Sequence, residues 1–476
     1  MPKKRLGKEG HKNSLRKQIC RKLIASIESG EYPPGSPLPP SRELAEKLGV
    51  SRDTVVRSFA DLQSMFYIES SSTRGFYVSK PSTDQRVLVK PKLPASGSVR
   101  LSDYGERLLD DHKKFLFTPD FSNLNYGAPP RELLPIRRWQ LHIRHYANAT
   151  PQLNYRPQVL GISPLRESMA GFLNRSKNLG CVRNEVILFS GTLSAMNLLC
   201  RLLLNPGETV AVEEPGFGGI RNIASEHGAT LLKVPVDREG MIVDVLNRNG
   251  DVRLVYITPG HHDPTGSVLS LERREQLIAW AKNNNAWIIE DDFDGHFQYE
   301  KSPLPCLKAI DKDDRVIYLS TLWKVLYPLS NIGYCVLPKP LIALVEKVKI
   351  NADGFSEVLT QQALAAMIDE GYLERYIRRL QKIYRARRSS LLYSLKKVFG
   401  QRIVVHGETS GTYCLVTFID CDESSVLQAA QMSGLPLVSI AGYYFENPPP
   451  SQFIIDFSRL DEKEMFEVVT NFAFWL

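Results

Sequence analysis

Paired cysteines, a long apolar run and an apolar segment near the N-terminus are all missing from this sequence. The seven cysteines (Cys20, Cys181, Cys200, Cys306, Cys335, Cys414, Cys421) show no C-x-x-C spacing and no paired framework. That pattern fits a reducing compartment, and no metal site is expected. No apolar run reaches the roughly 18 residues a membrane span needs, and no h-region follows the basic start. The expected location is the cytoplasm, with no membrane partner. Acidic residues are almost absent at the start: nine Lys and Arg precede residue 24 (Lys3, Lys4, Arg5, Lys8, Lys12, Arg16, Lys17, Arg21, Lys22), against Glu9. Such a run suits a polyanion, although a solvated arm would look the same. With 476 residues, 43% hydrophobic and 24% charged, the chain has the balance of a globular protein and is too long for one core.

What is present begins with LRKQICRKLIASIES, in which Leu15, Ile19, Leu23 and Ile27 recur on one helix face. GEYPPGSPLPP breaks that helix. A second helix is expected with Ser41 as its cap, Leu44, Ala45 and Leu48 buried, and Gly49 at its end. Ser51 caps a third, SRDTVVRSFADLQSM, with Val55, Phe59 and Leu62 inward. Two short helices across a tight Gly turn form a helix-turn-helix, whose second helix enters the major groove. Ser51, Arg52, Asp53, Thr54 and Arg57 crowd the start of that helix, where bases and phosphates are read. YIESSSTRGFYVSK reads as two strands around a turn, with Arg74 and Gly75 at the wing.

The stretch GEYPPGSPLPPSRELAEKLGVSRDTVVRSF resembles the GntR-type winged helix, a motif of about forty residues in one order. The resemblance puts Arg42, Ser51, Arg52, Thr54 and Gly75 on DNA-contacting positions and implies double-stranded operator DNA as partner. The expected domains are a winged helix over 1–80, a Pro- and Ser-rich tether over 81–117, and a large domain over 118–476.

In that last part, EVILFS, TVAVEE, RLVYITP, AWIIEDD, RVIYLS and GYCVLP read as short strands among helices, an α/β sheet covered on both faces. Their ends carry SGTLS, EEPGF, TPGHHDPTG, EDDFD and STLWKVLYPLSNIGY. This order of motifs resembles fold-type I aminotransferases that use pyridoxal phosphate (PLP), and the whole chain resembles MocR/GabR-type regulators. The resemblance implies a mixed, mostly parallel sheet with a small C-terminal subdomain, PLP as cofactor, a small-molecule effector and a homodimer. It gives Lys324 the role of Schiff-base lysine and Asp291 that of ring-nitrogen partner, with Asp292 as the alternative. Phe217 falls on the ring-stacking position, with an ordinary core phenylalanine as the alternative. Gly191, Thr192, Leu193 and Thr321 fall at the phosphate, and Tyr155 on the tyrosine that reaches the phosphate across a dimer.

The departures matter as much. Asn331 stands where the family has a phosphate-binding arginine, Phe293 where a tyrosine meets the ring oxygen, Asp263 in place of the Asn of N-P-T-G, and Leu193 in place of a glutamine. Ile454, near Arg459, occupies the position of the arginine that holds a substrate carboxylate. No catalytic residue for efficient turnover is expected. The expected function is a regulator sensing PLP or a PLP-reactive amine or amino acid; the alternatives are a PLP-free dimerisation scaffold and an active aminotransferase with a DNA-binding head.

Overall fold

The computed structural model describes residues 6–71, 75–79, 101–111, 127–148, 158–299, 304–354, 357–407 and 410–476. The chain divides into two units, Met1–Arg100 and Leu101–Leu476.

The N-terminal unit holds helices α1 (Leu6–Glu28), α2 (Ser41–Leu48) and α3 (Arg52–Ser64), and the antiparallel pair β1 (Ile68–Ser71) and β2 (Gly75–Val78). Its apolar stripes converge as their spacing predicts: Ile19, Leu23, Leu44, Val55, Phe59 and Leu62 are buried together. Phe59 meets Phe76 with ring centroids 4.9 Å apart, which joins the helices to the hairpin. Ser51 caps α3 as expected, and Gly49 closes α2 in the left-handed region. Ser41 does not cap α2. It is the first helical residue, and Pro40, which has no side-chain donor or acceptor, holds the cap position.

In the second unit, β3 (Val186–Phe189), β4 (Thr209–Glu214), β5 (Thr230–Asp237), β6 (Gly240–Met241), β7 (Val252–Ile257), β8 (Trp287–Asp291), β9 (Val316–Thr321) and β10 (Gly333–Val336) form one eight-stranded sheet. Its order is β3-β10-β9-β8-β7-β4-β5-β6. The run from β9 to β5 is parallel, while β10 and β6 are antiparallel to their neighbours. Successive residues go to opposite faces: Leu254, Tyr256, Ile289 and Ile317 pack into one core, and Val255, Ile257, Ile288 and Val316 into another. Both faces are thus dry, which explains why these strands read as unbroken apolar runs. A smaller antiparallel sheet follows, in the order β11 (Ile403–His406), β12 (Tyr413–Phe418), β14 (Gln452–Asp456), β13 (Leu437–Ser439).

Residues 103–111, inside the stretch whose composition reads as a tether, form a helix. It docks on the helix Gly218–Glu226, where the Tyr104 hydroxyl donates to Glu226 Oε2 (3.1 Å) and Arg107 Nε to the Glu226 carbonyl (3.0 Å). Among the described residues no helix is long and apolar enough to cross a membrane, and no acidic, His or Cys cluster could hold a metal ion.

Candidate cofactor site and DNA-reading helix

The polar residues of α2 and α3 divide their labour. Arg42, Arg52 and Arg57 are exposed, Arg52 Nε reaching Ser41 Oγ (3.4 Å) and Arg57 pairing with Asp53 (3.1 Å). Ser51 is exposed and Thr54 is buried. The Ser51 oxygen accepts from Thr54 N (3.3 Å) and stands 2.8 Å from Thr54 Oγ1. The two hydroxyls complete the cap of α3, with Ser51 still reachable from outside. Arg16, on the basic run, is held by both its Nε and Nη2 on the Asp61 carboxylate. Gly75 opens β2 with φ +86°, and Arg74 lies outside the described residues.

In the large unit the strand ends converge. Lys324 sits buried on the one-turn helix Trp323–Leu326 that follows β9, and Asp291 is the last residue of β8. Lys324 Nζ lies 4.9 Å from the ring centroid of Phe293 and 5.3 Å from that of Tyr413. Asp291 accepts from the Tyr256 hydroxyl through Oδ2 (2.7 Å), while its buried Oδ1 has no hydrogen-bond partner among the described residues. Burial pushes Asp291 up to about 8. Asp292 is occupied differently: it pairs with Lys177 (2.7 Å) and accepts from Tyr318 (2.6 Å). Burial alone would raise it, but the Lys177 ammonium overrides that and holds it below the usual range. Of the two acids, Asp291 is thus the one with an oxygen left open.

The loop after β7 is locked from below. Glu213 accepts from Thr258 N (3.0 Å) and Oγ1 (2.7 Å), and buried Arg274 donates to the carbonyls of Pro259 (2.7 Å), Leu269 (2.9 Å) and Pro305 (3.1 Å). Burial drives Glu213 up to about 8 and His262 down to about 3. His262 is thus neutral, its Nε2 3.0 Å from the Pro215 carbonyl, an acceptor that assigns the ring proton to Nε2. This frame presents Asp263, which is buried and accepts from the Tyr413 hydroxyl (2.9 Å); burial, opposed chiefly by nearby Lys324, raises it to about 6. Beside it His261 Nδ1 meets Asp294 Oδ2 at 2.6 Å.

Opposite, the helix Thr192–Leu203 starts after Gly191 (φ +89°) with no side-chain cap, so its first N–H groups can meet an anion. Gly333 lets β10 approach this turn: a Cβ there would lie 2.6 Å from the Gly191 carbonyl carbon. Asn331 is exposed beside Gly191, and Leu193 is exposed too. Thr321 is buried, and its hydroxyl donates to Ile332 O (3.2 Å) and accepts from Trp323 N (3.0 Å). Phe217, half-buried, faces Tyr256 at 6.5 Å and 30°. Tyr155 lies outside the described residues. Arg459 is exposed, and Ile454 is wholly buried with Tyr413, Leu415 and Ile440.

Residues 119–470 match the aminotransferase class I and II family, and residues 15–78 the gntR family of bacterial regulatory proteins. The chain is 30% identical over 459 residues to the probable rhizopine catabolism regulatory protein MocR of Rhizobium meliloti, covering 96% of this chain and 92% of that protein. The chain belongs to the MocR type of transcription regulators. It is also 28% identical to the pyridoxine biosynthesis regulator PdxR of Corynebacterium glutamicum, over 97% of this chain and 95% of that one. Among solved structures, Pyrococcus horikoshii kynurenine aminotransferase superposes with a TM-score of 0.67 at 26% identity, over 79% of this chain and 95% of that one.

The residues of this MocR-type regulator fit PLP on its own geometry: an open buried oxygen on Asp291, an uncapped helix start and a buried lysine. Tyr256, His261, Asp294, Thr412, Tyr413 and Asp456 also belong to the site and were not singled out from sequence. The doubled histidine of TPGHHDPTG and the acid ending FIID were the available signals. Gly127 completes the wall: its N donates to Asp456 Oδ2 (2.8 Å), its φ is +76°, and a Cβ there would stand 2.6 Å from Lys324 Nζ. Gly127→Ala is expected to cost about 1–3 kcal/mol through the left-handed backbone and to displace the lysine. Urea melts, with PLP titrations read by absorbance, check both; an unchanged PLP affinity would contradict the placement.

Proposed function

We propose that this regulator binds PLP at Lys324 and changes its affinity for operator DNA in response to PLP or to a PLP-reactive amine or amino acid. It does so as a cytoplasmic homodimer and without efficient amino-group transfer. The observation that carries the reading is the open, buried Oδ1 of Asp291 on the strand next to the one leading to Lys324. PLP, when bound, supplies an electrophilic aldehyde and an electron-withdrawing ring. Lys324 would hold it through its amine, Asp291 would keep the ring nitrogen protonated, the Thr192–Leu203 helix start would take the phosphate, and Phe217 would cover the ring. Three positions speak against turnover: exposed Asn331 gives the phosphate no charged clamp, Phe293 has no hydroxyl, and Ile454 has no charge. A sensor requires only unequal affinity for two states, which tolerates those losses.

The test is an absorbance spectrum with and without PLP, paired with an operator mobility-shift assay. A visible band that disappears in Lys324→Ala, together with a PLP-dependent change in operator affinity, is the expected result. A protein that stays colourless would overturn the cofactor part and leave a scaffold that binds DNA without PLP, a reading favoured by exposed Leu193 and the engaged hydroxyl of Thr321. An assay across amino acids and keto acids is expected to show no turnover.

A further inference from the structure

We propose that the cavity where the helix Ser163–Lys177, the loop after β8 and the long helix Tyr372–Phe399 meet is a second ligand site, and that it takes a hydroxylated phosphate monoester. The cavity has a volume of about 560 Å³, the size of a small-molecule pocket. No residue of the cofactor site lines it, so the proposal stands whether or not PLP binds at Lys324. Both helices pin its wall: Lys177 Nζ donates to the Gly295 carbonyl (2.9 Å) and Gln381 Nε2 to that of His296 (2.7 Å). His296 is thereby fixed in the wall, 7% exposed, its ring 5.8 Å from that of buried Phe172.

Two side chains that line this cavity each hold a buried polar atom with no hydrogen-bond partner among the described residues: His296 at Nε2 and Glu374 at Oε2. Buried polar atoms that the fold leaves open call for a partner from outside it. Burial, helped by the Lys177 ammonium, pushes His296 down to about 4, so its ring is neutral and can accept or donate at Nε2. A carboxylate only accepts, so Glu374 requires a donor from the ligand, as a hydroxyl provides. The charges of the lining close on a dianion. Lys177 is balanced by Asp292 (2.7 Å) and Arg175 by Glu374 (2.6 Å). Arg375 and Arg378, exposed one turn apart on the same helix, have no ion-pair partner among the described residues. They leave two positive charges at the cavity. A phosphate monoester carries about −1.5 to −2 at neutral pH and presents the acceptor oxygens that guanidinium groups bind in pairs.

The experiment titrates the full-length protein with glycerol 3-phosphate, inorganic phosphate and glycerol by calorimetry, in about 150 mM NaCl, where attraction between exposed charges is largely screened. Glycerol 3-phosphate is expected to saturate one site per chain and to bind at least about tenfold more tightly than either of its halves. Arg378→Ala is expected to weaken it at least about tenfold through loss of a charged hydrogen bond. Arg379→Ala removes the neighbouring arginine, which lines a different cavity, and is expected to leave the affinity within about twofold. His296→Gln should weaken binding about threefold or more, with its melting temperature as the check on folding; if that variant unfolds, the two arginine variants decide. No saturable heat, inorganic phosphate binding as tightly as the ester, unchanged affinity in Arg378→Ala or in a folded His296→Gln, or equal losses in the two arginine variants would each overturn the proposal.

Discussion

Phe59→Ala is expected to unfold the N-terminal unit and abolish operator binding while the unit from Leu101 to Leu476 keeps its fold and its PLP affinity. Phe59 is 1% exposed at the centre of the core that α1, α2, α3 and the β-hairpin share, and its ring contacts Phe76 of β2. Removing a buried phenylalanine costs about 3–5 kcal/mol, the lost transfer energy plus the cavity. The folded stretch 15–78, about 65 residues, has roughly 3–10 kcal/mol of stability in all, so the loss is comparable to the whole. The larger unit has separate cores above and below its sheet and none of them includes Phe59. Calorimetry should show one transition lost and one retained, with mobility-shift assays reporting the missing operator complex. Operator affinity within twofold of wild type would show that the helix-turn-helix does not depend on this core.

The parts of the fold that could be read from the sequence are those whose signal is local. Six strands announce themselves as apolar runs because both faces of the sheet are covered, and α3 announces itself through Ser51 and the Val55, Phe59, Leu62 stripe. Strand β5 does not, because TLLKVPVD leaves most of its residues at least partly exposed and interrupts the run with Lys233 and Pro235. The helix at 103–111 was hidden for a related reason: its strand of charge looks like a tether until Tyr104 and Arg107 find Glu226, more than a hundred residues away.

Site residues follow the same division. Lys324 and Asp291 are marked by strand-end motifs, but nothing local separates Asp291 from Asp292. The separation comes from Lys177, which arrives from the helix Ser163–Lys177 to neutralise Asp292 and leave Asp291 open. Tyr256 and Tyr413 are ordinary strand residues in the sequence and become specific only when their hydroxyls meet Asp291 and Asp263. The inward turn of Thr54 is equally invisible until the cap forms.

Asp291→Asn should separate what this carboxyl does for the cofactor from what it does to the fold. In the cofactor-free protein burial raises Asp291 from 3.8 to about 8, so it is mostly protonated at neutral pH. A carboxyl whose folded value exceeds its unfolded one stabilises the fold fully at low pH, below the unfolded value, and loses that contribution as pH rises through the folded value. Across pH 4 to 8, then, the wild type should lose stability that the asparagine variant does not. Glu213, Glu290 and Asp263, all raised by burial, slope in the same direction and remain in both proteins. The variant should therefore melt close to wild type at pH 4 and at a higher temperature than wild type at pH 8. PLP reverses the ranking. A protonated ring nitrogen gives the open Oδ1 a charged donor, a hydrogen bond worth about 1.5–3 kcal/mol that the neutral amide cannot reproduce. PLP affinity should fall by about 10- to 150-fold, read by absorbance titration at pH 7.5 on a protein that is no less stable when empty. Equal affinity in the two proteins would remove Asp291 from the cofactor site; a variant that melts lower at pH 8 would show that the carboxyl is ionised in the empty fold.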